Sequence, residues 1–204
     1  MKIVHLLDYG TGNVGSLTAM LSALGYGSVR TADAGVIRDC ALLLLPGVGS
    51  AGAAMTALRS RGLLPALAER HAAGRPIIGI CLGAQLLFQR LEESDTAGLG
   101  FLSGTVARLS DRVRFNTGWC RLEWDRRRLN GFATGLSAQD SFFFNHQYAC
   151  PAAELPASVT VAGEPGIPAL YFTDHLCGVQ FHPEKSQTPG RLLMRNLLRH
   201  YHGN

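Results

Sequence analysis

Seven residues, Gly79-Ile80-Cys81-Leu82-Gly83-Ala84-Gln85, restrict what this chain can become more than any other stretch. They end a short apolar run, Pro76-Ile77-Ile78-Gly79-Ile80, which reads as a buried parallel strand behind a proline breaker. Residues 84–91 follow, Ala-Gln-Leu-Leu-Phe-Gln-Arg-Leu, with strong helix formers and apolar residues at helical spacing, so a helix is expected there. A strand entering a helix through Gly-x-Cys-x-Gly is the layout of a nucleophile elbow. Its central residue is strained and its neighbours must be small. The Cys81 sulfur then stands at a helix N-terminus, where the macrodipole and unpaired N–H groups favour thiolate, and the N–H of Leu82 is placed to stabilise an oxyanion. The competing reading of Cys81 is one more buried thiol.

Strand and helix alternate through residue 91, which calls for a parallel α/β sheet. Residues 2–7, 26–31 and 41–45 read as strands. Residues 16–24, 53–58 and 63–73 read as helices. The third strand runs into Pro46-Gly47-Val48-Gly49-Ser50-Ala51-Gly52. Glycines beyond the carboxyl end of a parallel strand leave backbone N–H groups open to a ligand, so this loop is a candidate for the second oxyanion donor. Beyond Gly98-Leu99-Gly100 the pattern becomes short strands divided by turns, at about 105–109, 119–124, 141–145, 158–162, 169–172 and 178–181. That spacing suits antiparallel additions to one side of the sheet. A closing helix is expected over 189–200. The fold class is therefore α/β, a mostly parallel, flavodoxin-like sheet with flanking helices plus antiparallel strands in the C-terminal half.

Composition excludes more than it suggests. A chain of 204 residues fits one domain over 1–204. A net charge of +4 is too small to argue for nucleic acid unless it is clustered. The basic residues Arg108, Arg112, Arg114, Arg121 and Arg126 to Arg128 do cluster, as a solvated hairpin face or as a patch for an acidic partner. Five cysteines stand far apart with no C-x-x-C pair, which fits neither a disulfide scaffold nor a zinc site. With no signal-type or membrane-length apolar run, a cytoplasmic protein is expected.

Two further motifs carry chemistry. Gly10, Gly12 and Gly15 spell G-x-G-x-x-G after the first strand, with Asp33 near the distance of a ribose-binding acid, so a dinucleotide-binding module is a second reading. With 24 glycines in the chain, such a match arises easily by chance. Near the C-terminus, Gly178-Val179-Gln180-Phe181-His182-Pro183-Glu184-Lys185-Ser186 delivers His182 from a strand, with Glu184 two residues later. If this strand lies beside the Cys81 strand, the three residues become nucleophile, base and orienting carboxylate.

On these motifs the chain resembles the class I, triad-type glutamine amidotransferases, whose elbow reads G-x-C-x-G-x-Q and whose late motif is H-P-E. More narrowly it is similar to the family of glutaminase subunits of imidazole glycerol phosphate synthases, through Asp8-Tyr9-Gly10-Thr11-Gly12-Asn13, Pro46-Gly47-Val48-Gly49, Gly118-Trp119 and Phe144-x-His146-x-Tyr148. The resemblance implies glutamine hydrolysis through a Cys81 thioester with His182 and Glu184. It implies oxyanion donors at Val48 and Leu82, and glutamine contacts at Gly49, Gln85, Gln147 and Tyr148. No cofactor and no metal are called for. The implied partner is a (β/α)-barrel cyclase that receives the ammonia, docking near Asn13, Trp119 and Lys185, with no role for nucleic acid or membrane. The family usually reads H-M-G-W-N where this chain has Asn116-Thr117-Gly118-Trp119-Cys120, Met at Ala84 and often Tyr at Phe143. Those departures leave open a glutaminase subunit of another two-component synthase, or a stand-alone γ-glutamyl cysteine hydrolase.

Overall fold

The computed structural model describes residues 1–10, 12–109, 116–124, 131–149, 155 and 158–202. Among the described residues five segments form the parallel half of its main sheet: β1 (Ile3–Leu7), β2 (Gly27–Thr31), β3 (Leu43–Gly47), β4 (Ile77–Cys81) and β13 (Leu176–Val179). Every residue of β3, β4 and β13 is buried, as expected of strands covered on both faces. Helices α1 (Val14–Ala23), α2 (Ala34–Asp39), α3 (Ala51–Ser60), α4 (Leu64–Ala72) and α6 (Gln187–His202) supply that cover. Two large hydrophobic clusters result, one around Leu17, Phe144, Phe181 and Leu197, the other around Leu45, Leu58, Leu67 and Phe88.

Among the described residues the main sheet has nine strands, in the order β2-β1-β3-β4-β13-β12-β11-β8-β9. Its antiparallel half consists of β8 (Asn116–Glu123), β9 (Ser141–His146), β11 (Ser158–Val161) and β12 (Glu164–Phe172). The α/β class and the parallel first half agree with the sequence reading, and so do the antiparallel additions with two corrections: the strand expected at 178–181 is β13, which lies at Leu176–Val179 and pairs parallel with β4, and the one expected at 105–109 belongs to a separate sheet. What joins the halves is β13, which pairs parallel with β4 from Leu176 opposite Ile77 to Val179 opposite Ile80. It also pairs antiparallel with β12. Gly178 is required at this seam, because a Cβ there would lie 1.9 Å from the Tyr171 ring. The bare backbone lets the Tyr171 hydroxyl cross β13 and donate to the Ala84 carbonyl at 2.6 Å.

The expected helix over 84–91 is a correction. A single turn, α5 (Leu82–Gln85), is followed by a strand, β5 (Phe88–Leu91). Residues 81–88 are buried all round, so apolar periodicity does not distinguish helix from strand there. The 98–102 segment decides the matter: Gly98, Leu99 and Gly100 donate backbone hydrogen bonds to Gln89, Leu86 and Phe88, and Phe101 and Leu102 to Leu87. Among the described residues a second sheet of four strands grows from that capture, in the order β10-β7-β5-β6, with β6 (Thr96–Ala97), β7 (Leu102–Arg108) and β10 (Tyr148–Ala149). The closing helix starts two residues earlier than expected, after a 3-10 turn over Pro183–Lys185.

The dinucleotide reading loses its acid. The Asp33 carboxylate is the N-cap of α2 and accepts from the Val36 N–H at 2.8 Å. Of the arginine cluster, Arg112, Arg114 and Arg126 to Arg128 lie outside the described residues, as does Thr11. Arg121 donates to Gln139 at 2.9 Å, on an exposed surface.

Candidate active site

Cys81 ends β4 with φ +53° and ψ −112°, left-handed backbone that a side-chain-bearing residue adopts only under constraint. The constraint is close packing against β3. A Cβ on Gly83 would stand 1.8 Å from the Leu45 carbonyl oxygen, so the turn fits only with glycine there. With α5 reduced to one turn, the macrodipole acting on the sulfur is shorter than the sequence suggested. The local charge partner is instead His182.

His182 leaves the end of β13 just beyond the register position opposite Cys81. Its backbone is fixed from both sides: the N–H donates to the Phe143 carbonyl at 2.9 Å, and the carbonyl accepts from Ser186 Oγ at 2.6 Å. Ser186 Oγ in turn accepts from the Phe143 N–H. The imidazole is hydrogen-bonded to the Cys81 thiol on one side and, through Nδ1 at 2.9 Å, to Glu184 Oε1 on the other. Burial alone would lower its pKa. The hydrogen bonds and charges of Cys81 and Glu184 more than offset that and push it up to about 9, so the ring is imidazolium at neutral pH. The Glu184 side chain is only 1% exposed, and its Oε1 also accepts from Asn13 Nδ2 at 3.3 Å.

A cavity of about 240 Å³ opens over the sulfur. Val48, Gly49, Leu82, Gln85, Gln147 and Tyr148 line it together with Cys81 and His182, so all the residues singled out for glutamine share one space. Gln85 is held by its Nε2, which donates to the Tyr148 carbonyl at 2.9 Å and to Gln180 Oε1 at 3.2 Å. The sequence reading assigned no role to three further lining residues, Glu93, Asn145 and His146. Glu93 sits on the 3-10 turn Glu92–Ser94, with Oε2 accepting from the Ala51 N–H. No motif marks such a position. The cavity's chemistry is that of an amino-acid site: a cysteine–histidine pair, and a carboxylate with main-chain polar groups along the wall.

Of the three positions expected to face a partner, Trp119 is 49% exposed and meets the Phe143 ring edge-on. Lys185 lies 5.6 Å over that same ring. Asn13 differs from expectation in also touching Glu184. Among the described residues no cluster of three or more metal-ligating side chains occurs, and no helix is long and apolar enough to cross a membrane.

Similarity to known proteins bears on the family and the fold. The family profile described as glutamine amidotransferase class-I matches residues 5–200. A relative from Lactococcus lactis, named imidazole glycerol phosphate synthase subunit HisH, is 38% identical over 202 residues, spanning 97% of this chain and 98% of the relative. Relatives of the same name from Streptococcus mutans and Symbiobacterium thermophilum are 35% and 37% identical, over 96% of this chain in each case and 98% and 93% of their own lengths. Among solved structures, one described as a glutamine amidotransferase has a TM-score of 0.70 at 21% identity, covering 96% of this chain and 97% of its own. The structure of PurLQS from Thermotoga maritima has 0.71 at 17%, covering 97% and 98%. These two structures bear on the fold alone.

Proposed function

From the premise that the chain belongs to the class-I glutamine amidotransferases, and within them to the family of HisH subunits, we propose that it is the glutaminase subunit of an imidazole glycerol phosphate synthase in histidine biosynthesis. The observation that carries the chemistry is the buried His182 imidazole, hydrogen-bonded to the Cys81 thiol and to Glu184 inside an amino-acid-sized cavity.

The Cys81 sulfur attacks the side-chain carboxamide carbon of glutamine. The developing oxyanion is met by the Leu82 N–H and by the loop at Val48 and Gly49. His182 gives its proton to the departing nitrogen, ammonia leaves, and a γ-glutamyl thioester remains on Cys81. His182, now neutral, takes a proton from water, whose oxygen attacks the thioester. Glutamate is released and the thiol–imidazole pair is restored. Glu184 holds the ring through Nδ1 and stabilises its charged form. Elsewhere on the cavity wall, Glu93 offers a carboxylate and Gln85 its Oε1 to the α-ammonium group, while the backbone at Gln147 and Tyr148 lines the place of the α-carboxylate.

Val48 is 40% exposed on the cavity lining and Trp119 is 49% exposed, while Asn13 touches Glu184 and Lys185 shares the Phe143 ring with Trp119. This supports docking of a (β/α)-barrel cyclase there, which receives the ammonia and sets the oxyanion loop. Four described cysteines, Cys40, Cys81, Cys120 and Cys177, are unpaired, in keeping with a cytoplasmic enzyme working as one domain.

The test is ammonia release from glutamine by the chain alone and with the barrel cyclase of its own source, with Cys81→Ala as blank. Release that depends on Cys81 and rises with the cyclase and its nucleotide-derived ligand is expected. Full activity without a partner would overturn the subunit assignment, and activity that survives Cys81→Ala would overturn the mechanism.

A further inference from the structure

One histidine on the cavity takes no part in the steps above. His146 Nδ1 lies 2.7 Å from the Tyr148 carbonyl oxygen, which only accepts, so that nitrogen carries the hydrogen. Its Nε2 lies 3.1 Å from Asn116 Nδ2. Burial lowers the ring's pKa, the Tyr148 hydrogen bond offsets this only in part and the charge on His182 adds to the lowering, which brings it to about 4. The ring is therefore neutral, and Nε2 presents a lone pair to the Asn116 amide. Asn116 Oδ1 in turn accepts from the Cys120 thiol at 3.4 Å. Each donor points the same way, from Cys120 through Asn116 and His146 to the Tyr148 carbonyl, an arrangement in which successive bonds polarise one another. At that carbonyl Gln85 Nε2 arrives from the other side.

We propose that Asn116 and His146 are positioning residues for glutamine: they fix the Nδ1–H tautomer and, with Gln85, pin the Tyr148 carbonyl, so that the Gln147–Tyr148 backbone faces the cavity in one orientation. The proposal rests on the glutaminase reading for its ligand, though not for the relay itself. It gives two of the residues that depart from the family pattern, Asn116 and Cys120, a shared task. Asn116 is 8% exposed and His146 5%, so neither acts by reaching a partner's surface. His146 works through the Tyr148 carbonyl and not as a proton donor to the reacting atoms, which His182 serves.

Two measurements test this. Nitrogen-15 NMR of the full chain at neutral pH reads the tautomer without reference to activity. The wild type is expected to show Nδ1 protonated and Nε2 not, whereas N116D, which turns an acceptor toward Nε2, is expected to protonate that nitrogen. Steady-state glutamine kinetics of the chain with its barrel cyclase supply the second readout. H146L is expected to raise KM about tenfold with kcat nearly held, because binding is lost equally in ground and transition states. H146N, whose amide nitrogen stands near the place of Nδ1, is expected to restore KM to within about threefold of wild type. An Nε2–H tautomer in the wild type would overturn the proposal, as would an unchanged KM in H146L or a KM in H146N as poor as in H146L. A wild type that hydrolyses no glutamine would instead overturn the glutaminase reading, and the NMR result would still judge the relay.

Discussion

Gly83→Ala is a change of one methyl group that should disable the site while sparing most of the fold. The new Cβ would sit 1.8 Å from the Leu45 carbonyl oxygen and 2.7 Å from its carbon, both main-chain atoms of β3. No side-chain rotation relieves that contact. Real Cβ atoms essentially never approach closer than 3.0 Å, so the turn must move away from β3 by about 1.2 Å, the difference between the two distances. Two effects oppose each other in stability. Alanine is the better helix former by about 1 kcal/mol, and overpacking against a buried strand costs about 1–3 kcal/mol. The net loss expected is thus about 0–2 kcal/mol, which leaves the chain folded. Catalysis is less forgiving, because Cys81 and the Leu82 N–H ride on the same turn. A displacement of about 1 Å is worth about a hundredfold in rate. Ammonia release by the complex should therefore fall by about two orders of magnitude, while urea unfolding shows only the small loss. The rate of Cys81 alkylation by iodoacetamide gives a check that does not depend on turnover. Turnover and alkylation within about threefold of wild type would refute the idea that contact with β3 holds the elbow in place.

Glu184→Gln keeps the shape of the side chain and removes its charge, so glutamine hydrolysis should fall about a hundredfold with little change in KM, measured as ammonia release. The same site links folding to pH. A histidine whose folded pKa is raised to about 9 from 6.5 adds stability that is complete below about 6.5 and is lost as pH climbs through about 9. The span is worth about 3 kcal/mol, so urea midpoints should fall between pH 6.5 and 9, and less steeply in Glu184→Gln; parallel curves would refute this. Arg70, fully buried, donates to the carbonyls of Ile37, Cys40 and Pro76 at 2.9, 2.8 and 2.7 Å, tying α4 to the C-terminal end of α2 and to the residue before β4. Arg70→Met strands those carbonyls and should cost about 3 kcal/mol by urea unfolding with kcat unchanged, since the residue is remote from the cavity; a loss below about 1 kcal/mol would contradict the role.

The sequence discloses the two halves of this structure unevenly. The central parallel strands β3 and β4 are legible because each is a continuous apolar run beside a Gly or Pro breaker, and burial on both faces demands such runs. The stretch from Leu86 to Leu91 is not, because apolar residues buried on every side carry no period, and its hydrogen bonds go to residues 98–102, which local pattern does not foresee. At the site, Cys81, His182 and Glu184 stand out because each lies in a motif whose residue order mirrors a geometric need, and the structure places them together. Glu93 and the Asn116–His146 relay depend on side chains from separate strands and turns meeting at the cavity. Nothing near Glu93 in the sequence refers to Ala51, and nothing near Asn116 refers to residue 146. Asn13 shows the converse: its motif marks the position, and only the packing reveals its contact with Glu184.

The parallel pairing of β13 with β4 also governs when the molecule becomes reactive. Cys81 and His182 are separated by roughly one hundred residues of chain, and pairings between such distant segments close late in folding. Before that pairing forms, the thiol lacks its imidazole and orienting carboxylate and has only the ordinary reactivity of a free cysteine. The nucleophile is switched on only when the last strand docks, so biosynthetic order itself acts as a safety catch.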